Sequence, residues 1–132
     1  TVNCEVYLME ITIHNSSEVP IYEQITSQIK QLILNGELES GEALPSLRLL
    51  AKELRISVIT TKRAYEELER EGYVTSVPGK GCFVAGKSRQ LLQEEKLRMV
   101  EEKLSLAVEL ARRNEISLGE MTELLKTLYE ED

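Results

Sequence analysis

The chain of 132 residues has one histidine, two cysteines, one phenylalanine and no tryptophan. Each scarcity removes a class of chemistry. A Ser–His or Cys–His catalytic pair would have to use His14, which sits in a segment that reads as an N-terminal strand. Cys4 and Cys82 stand far apart with no C-x-x-C spacing, so neither a disulfide framework nor a cysteine zinc site is encoded. No metal site and no cofactor is expected, and these three residues read as ordinary side chains in a reducing cytoplasm. No apolar run approaches the roughly 20 residues that a membrane-spanning helix needs. The N-terminus lacks the basic start and long apolar stretch of a secretory signal. Cations are also in deficit: Lys+Arg total 16 against Asp+Glu 23, a net charge of −7. That excludes a uniform basic coat, but not a local basic patch.

Acidic pairs are what the chain has instead. Glu66–Glu67, Glu94–Glu95 and Glu101–Glu102 lie among lysines and arginines, as solvated helix faces do. They give no reason to expect paired-carboxylate catalysis, and the chain does not read as an enzyme.

All three prolines and six of the seven glycines fall in residues 1–86, leaving only Gly119 in residues 87–132. The first part is therefore a turn-rich globular unit and the second a helical one. Within the first, residues 1–15 form an N-terminal extension. Val6, Leu8, Ile11 and Ile13 alternate there, predicting a short strand near 10–14. Met9 reads as a natural start, and residues 1–8 stand as a leader, an alternative start or a cloning remnant.

Residues 16–86 hold the globular unit. Pro20 suits a helix start, and Ile21, Ile25, Ile29, Leu32 and Ile33 form one helical stripe ended by Asn35–Gly36. Residues 37–44 read as a loop. Ser46 caps a short helix with Leu47, Leu50, Ala51 and Leu54 inward, and Ser57 caps another with Thr61, Ala64, Tyr65 and Leu68 inward. Two amphipathic helices joined by Arg55–Ser57 predict a helix-turn-helix. Gly72 closes the second helix. Residues 73–77 and 82–84 then flank the turn Pro78-Gly79-Lys80-Gly81, which predicts a hairpin. Helix, helix-turn-helix and hairpin is the order of a winged helix.

Residues 87–132 read as two helices. Leu97, Val100, Leu104, Ala107 and Ala111 keep heptad spacing, and Leu92, Met99 and Leu106 add a neighbouring stripe. Ser117-x-x-Glu120 is a capping box, after which Leu118, Met121, Leu125 and Leu128 form the apolar face of a last helix. A 25-residue helix spanning 89–113 is about 37 Å long. A stripe of that length needs a partner surface, and a two-fold copy of itself is the commonest one. These nine positions, Leu97, Val100, Leu104, Ala107, Ala111, Leu118, Met121, Leu125 and Leu128, are the expected dimerisation residues.

Charge is distributed unevenly. Residues 43–65 carry Arg48, Lys52, Arg55, Lys62 and Arg63 against Glu53 alone, a net of +4, which leaves the remainder at −11. Residues 72–93 add Lys80, Lys87 and Arg89 with no acid. Nucleic-acid affinity needs cations where the phosphate backbone passes, and here they gather on the helix-turn-helix and the hairpin. With Thr61, Ala64, Tyr65 and Leu68 inward, Ile59 and Arg63 point outward beside Thr60 and Lys62. Arg63 or Lys62 suits guanine and Ile59 suits a thymine methyl. A solvated helix face is the bland account of isolated charges, but an outward Ile59 beside Val58 favours DNA. The Gly79–Gly81 turn is no phosphate loop, because no G-K-[ST] follows and no helix starts there. A wing against the DNA backbone or minor groove fits it better.

The residues Leu44-Pro45-Ser46-x-Arg48-x-Leu50-Ala51-x-x-Leu54, then Ser57, Thr60, Arg63-Ala64-Tyr65-x-x-Leu68-x-x-x-Gly72, resemble the GntR family of bacterial transcription regulators. Pro20-Ile21-Tyr22-x-Gln24-Ile25 and Gly79-Lys80-Gly81-x-Phe83-Val84 extend the resemblance over about residues 19–86. Ala64–Tyr65 and the short helical tail are similar to the YtrA-like subgroup. The resemblance implies DNA contacts from Arg48, Ser57, Val58, Ile59, Thr60, Lys62 and Arg63, with Gly79 and Lys80 from the wing. Only 46 residues follow Gly86, so the large ligand-binding domain of other GntR subgroups has no room. Arg55 stands where many members have glycine, Val58 where many outside the subgroup have arginine, and Leu47 and Leu49 where acids are frequent. The operator sequence therefore does not carry over.

The expected protein is mainly α with a small β-hairpin wing: a winged helix-turn-helix followed by a two-helix dimerisation tail. Its expected function is that of a cytoplasmic, dimeric repressor on an inverted-repeat operator, and the subgroup resemblance implies control of a neighbouring transporter operon. Two rivals remain open at this point. One is a winged-helix module for protein–protein assembly. The other is a regulator that senses a small molecule through its tail helices, although no polar pocket set is visible there.

Overall fold

The structure is a computed structural model that describes residues 10–87 and 89–131. It divides into two compact units between Leu92 and Gln93. The first carries three helices and a hairpin: α1 (Ile21–Leu34), α2 (Leu47–Leu54), α3 (Val58–Arg70), β1 (Val74–Val77) and β2 (Gly81–Val84). Two further helices follow, α4 (Arg89–Arg113) and α5 (Leu118–Glu130).

Local chemistry sets each boundary of the first unit. Pro20 precedes α1, where its missing N–H leaves no bond unmade. The Ser46 and Ser57 hydroxyls accept the N–H groups of Leu49 and Thr60, at 3.1 and 3.2 Å, and so start α2 and α3. Between these helices the chain reverses at Arg55, whose φ of 57° and ψ of 49° are left-handed. The N–H of Ile56 closes back on Ala51 O at 3.0 Å. Glycine adopts that conformation freely, whereas a residue with a Cβ is held there at a cost of about 1 kcal/mol.

The core forms where the three helices and the hairpin face one another. Ile25 and Ile29 of α1 and Ala64 and Leu68 of α3 are fully buried, with Leu50, Val74 and Val84 nearly so. Thr61 is the polar exception: its hydroxyl donates to Leu47 O at 3.1 Å and to Val58 O at 2.8 Å, so its burial leaves no bond unmet and fixes α3 against α2. In the hairpin Val74 pairs with Val84 and Val77 with Gly81. The turn closes through Lys80 N–H to Val77 O at 2.9 Å, with Gly79 and Gly81 at φ of 76° and 120°. Residues 42–44 flank β2 on its other side. Val84 N–H donates to Glu42 O and Leu44 N–H to Cys82 O, both at 2.8 Å, so the loop expected at 37–44 makes a single β-bridge, Ala43 opposite Phe83, along the free edge of the two-stranded hairpin. Lys87, leaving the wing, lies 3.8 Å from the centroid of the buried Tyr73 ring.

The strand expected near 10–14 does not form. Ile11 and Ile13 do alternate with exposed Thr12 and His14, but side chains take the place of a neighbouring strand. The Thr12 N–H donates to Gln28 Oε1 at 2.9 Å, and Gln28 Nε2 donates to Thr12 O at 2.7 Å. Gln24 repeats the exchange at His14, with bonds of 2.8 and 3.0 Å. Four residues of helix advance about 6 Å and two of extended chain about 6.6 Å, so the two spacings match. The expected alternation at Val6 and Leu8, and the reading of residues 1–8, lie outside the described residues.

In the second unit α4 leads into α5 through a turn at Asn114–Ser117. Glu115 is left-handed at φ 56°, and the Ile116 N–H returns to Ala111 O at 2.9 Å. Ser117 and Glu120 form the expected capping box. Arg98 pairs with Glu95 and Glu102, and Arg113 with Glu109, all along α4 itself. α5 has no buried residue. Leu97, Leu118 and Leu128 are 63%, 81% and 63% exposed. Ala111, beside the turn, is already buried.

Candidate nucleic-acid interface

α3 presents an outward face that begins at its capped N-terminus. Ile59 is 81% exposed, an unusual state for a large apolar side chain. Lys62, Arg63 and Glu66 follow it on the same face and with it line one shallow groove. The Ser57 and Thr60 hydroxyls lie 2.8 Å apart at the start of this helix. Val58 is exposed beside them. The first turn thus carries two hydroxyls, free backbone N–H groups and the positive end of a helix dipole, a combination that attracts phosphate oxygens.

A cleft of about 510 Å³ separates α3 from the wing. Lys62 lines it from the helix, and Gly79 and Lys80 from the hairpin tip. Of the expected contact residues, Ile59, Lys62 and Arg63 therefore share one face, and Lys62, Gly79 and Lys80 share one cleft. Arg48 is exposed in the first turn of α2 and lines neither.

Two groups inside this region hold their protons. Burial pushes the Tyr65 hydroxyl above its usual range, with the nearby Cys82 thiol adding to the shift. That hydroxyl donates to Pro45 O at 2.8 Å. Burial also raises the Cys82 thiol; a hydrogen bond with Ser76 opposes the shift and the Glu69 carboxylate adds to it. Cys82 is a free thiol, and a raised pKa makes it a poor nucleophile. Glu69 accepts the Ser76 N–H at 3.2 Å and the Ser76 hydroxyl at 3.4 Å, which binds the end of α3 to the wing. Among the described residues no group of three or more His, Cys, Asp or Glu side chains is arranged to hold a metal ion.

Sequence reasoning missed two members of the face. Glu66 reads as half of a solvated pair, yet it lines both the groove and the cleft. Tyr22 lies 41 residues before Arg63, yet its ring stacks on that guanidinium.

The profile described as "Bacterial regulatory proteins, gntR family" matches residues 21–84, the span from α1 to β2. The HTH-type transcriptional repressor YtrA of Bacillus subtilis is 36% identical over 118 residues, which cover 89% of this chain and 91% of that protein. The chain belongs to the GntR family. A GntR family transcriptional regulator from Listeria monocytogenes superposes with a TM-score of 0.76 at 25% identity, covering 87% of this chain and 98% of its own. The DNA-binding domain of AraR in complex with operator superposes with a TM-score of 0.52 at 26% identity, covering 58% of this chain and 96% of its own. This GntR chain is a DNA-binding transcription regulator with a winged helix-turn-helix fold, and not an enzyme.

Proposed function

We propose that the protein is a dimeric repressor that binds an inverted-repeat operator through α3 and the wing. The observation that carries this reading is Ile59, 81% exposed on a capped helix and flanked by Lys62 and Arg63. A large apolar side chain is costly in water, and a thymine methyl in the major groove would cover it. In this reading Lys62 and Arg63 reach base edges or phosphates, and Ser57, Val58 and Thr60 meet the backbone at the helix start. Arg48 from α2 and Gly79 and Lys80 from the wing hold phosphates on either side.

The tail supplies the second protomer. Leu97, Val100, Leu104, Leu118, Leu125 and Leu128 are all exposed in the single chain, and a second copy would bury them, with Ala107 and Met121 alongside. Two recognition helices would then meet successive major grooves, so that half-site spacing becomes a property of the tail. The likeness to the YtrA repressor supports repression, by occlusion of a promoter. Subgroup resemblance supports a neighbouring transporter operon as the target, and the reading places the protein in the cytoplasm with the chromosome.

Fluorescence anisotropy on the inverted repeat nearest its own promoter, set against a scrambled duplex across salt concentrations, tests the reading. Each phosphate neutralised by a Lys or Arg contributes a slope of about −0.9 in log K against log salt. A flat plot, or equal affinity for both duplexes, would sink it.

A further inference from the structure

The Arg63 guanidinium carbon lies 3.8 Å from the centroid of the Tyr22 ring. Tyr22 stands in the first turn of α1 and Arg63 in the second turn of α3. The contact therefore couples two helices at the edge of the outward face. Arg70 pairs with Glu67 at 2.6 Å, but among the described residues no carboxylate pairs with Arg63. The Tyr22 hydroxyl has its own partner, donating to Glu23 Oε1 at 3.2 Å, so the ring face is what Tyr22 offers to Arg63. Stacking occupies the flat face of a guanidinium and leaves its N–H groups, which lie in the plane, free to donate.

We propose that Tyr22 is a positioning residue for sequence reading: its ring holds the Arg63 guanidinium with the N–H edge presented to base edges in the major groove. The proposal rests on the reading of Arg63 as a DNA contact given above. A long side chain ordered before DNA arrives has less freedom to lose on binding. Among the described residues Arg63 is the one cation placed over this ring, so the ring acts on the choice of sequence rather than on general attraction to phosphate.

The test uses the full chain, a duplex recovered by selection from a random-sequence pool, and its scrambled counterpart. Anisotropy is measured on Tyr22→Leu, Tyr22→Phe, Arg63→Ala and the Tyr22→Leu/Arg63→Ala double variant. Tyr22→Leu is expected to bind the selected duplex about two- to five-fold more weakly, the worth of an exposed cation–π contact, with the scrambled duplex unaffected. Tyr22→Phe keeps the ring face and binds as the parent does, and the double variant binds no worse than Arg63→Ala alone. Progressively fluorinated phenylalanines at position 22 keep the shape while weakening the negative ring face, so the measurement survives if Tyr22→Leu fails to fold. Affinity for the selected duplex should fall stepwise along that series. An additive double variant, or a flat fluorinated series beside an Arg63→Ala variant that does lose the selected duplex, overturns the role of Tyr22 alone. No loss in Arg63→Ala, or equal loss on both duplexes, overturns the base-reading role of Arg63 and the proposal with it.

Discussion

The Tyr65 hydroxyl donates to the Pro45 carbonyl at 2.8 Å, a buried bond from the middle of α3 to the residue just before the α2 cap. Together with Thr61 on Leu47 O, it sets the angle between the two helices of the DNA-binding motif by hydrogen bonds rather than by apolar packing alone.

Tyr65→Phe removes the donor and leaves a buried carbonyl unpaired, which costs about 1–3 kcal/mol. Urea unfolding reads this as a lower midpoint. The parent should also show an alkaline limb. Burial, with a smaller contribution from Cys82, raises the folded Tyr65 pKa, so the neutral phenol is favoured in the native state. The matching stability is complete below the unfolded tyrosine value of about 10 and declines as pH rises above it. That decline should be shallower in Tyr65→Phe.

Arg55→Gly should stabilise the fold. The left-handed φ of 57° suits glycine, and the relief exceeds the extra freedom glycine gives the unfolded chain by about 0.5–1 kcal/mol. A raised urea midpoint at unchanged slope is the expected result, with Arg55→Ala giving no such gain. A lowered midpoint in Arg55→Gly would mean the turn carries no strain, because only the extra freedom of glycine in the unfolded chain would then remain.

Arg63→Ala and Lys80→Ala should differ in kind. Loss of a bidentate guanine contact costs about 1–3 kcal/mol on the operator and relaxes specificity at one base pair. Lys80, at the wing tip beside Gly79, should weaken every duplex alike and lower the salt slope by about one. Paired titrations on operator and scrambled DNA separate the two effects, and a sequence-selective loss in Lys80→Ala would contradict the assignment.

Leu104→Asp would place a carboxylate in the proposed seam between protomers, at a cost of several kcal/mol. Sedimentation at micromolar concentration should then show dissociation to monomer. If the parent chain is itself monomeric and binds one half-site as tightly as two, the tail does not make a dimer.

The helix-turn-helix was legible because its signals are local. Ser46 and Ser57 each stand immediately before the first residue of a helix, and both hydroxyls make the expected bond. The hairpin turn was legible from Pro78, Gly79 and Gly81 for the same reason. The β-bridge at Ala43 was not, since Glu42-Ala43-Leu44 has no β-prone pattern and its bonds come from residues some 40 positions away. At 10–14 the alternation of Ile11 and Ile13 reported correctly which side chains are covered. Alternation does not report what satisfies the backbone, and there two glutamines do. The Tyr22–Arg63 stack escaped notice because helical spacing places each residue on its own helix without showing which helix lies beside it.

Gln24 and Gln28 grip the N-terminal arm by its peptide groups alone. Positions 12 and 14 can therefore drift through nearly any side chain over evolutionary time without unseating the arm, proline excepted because it lacks the N–H. The glutamines have no such latitude. Glutamate at either place, equal in size, still accepts from the arm but cannot donate to it. The heritable information that seats the arm is written in the helix beneath it.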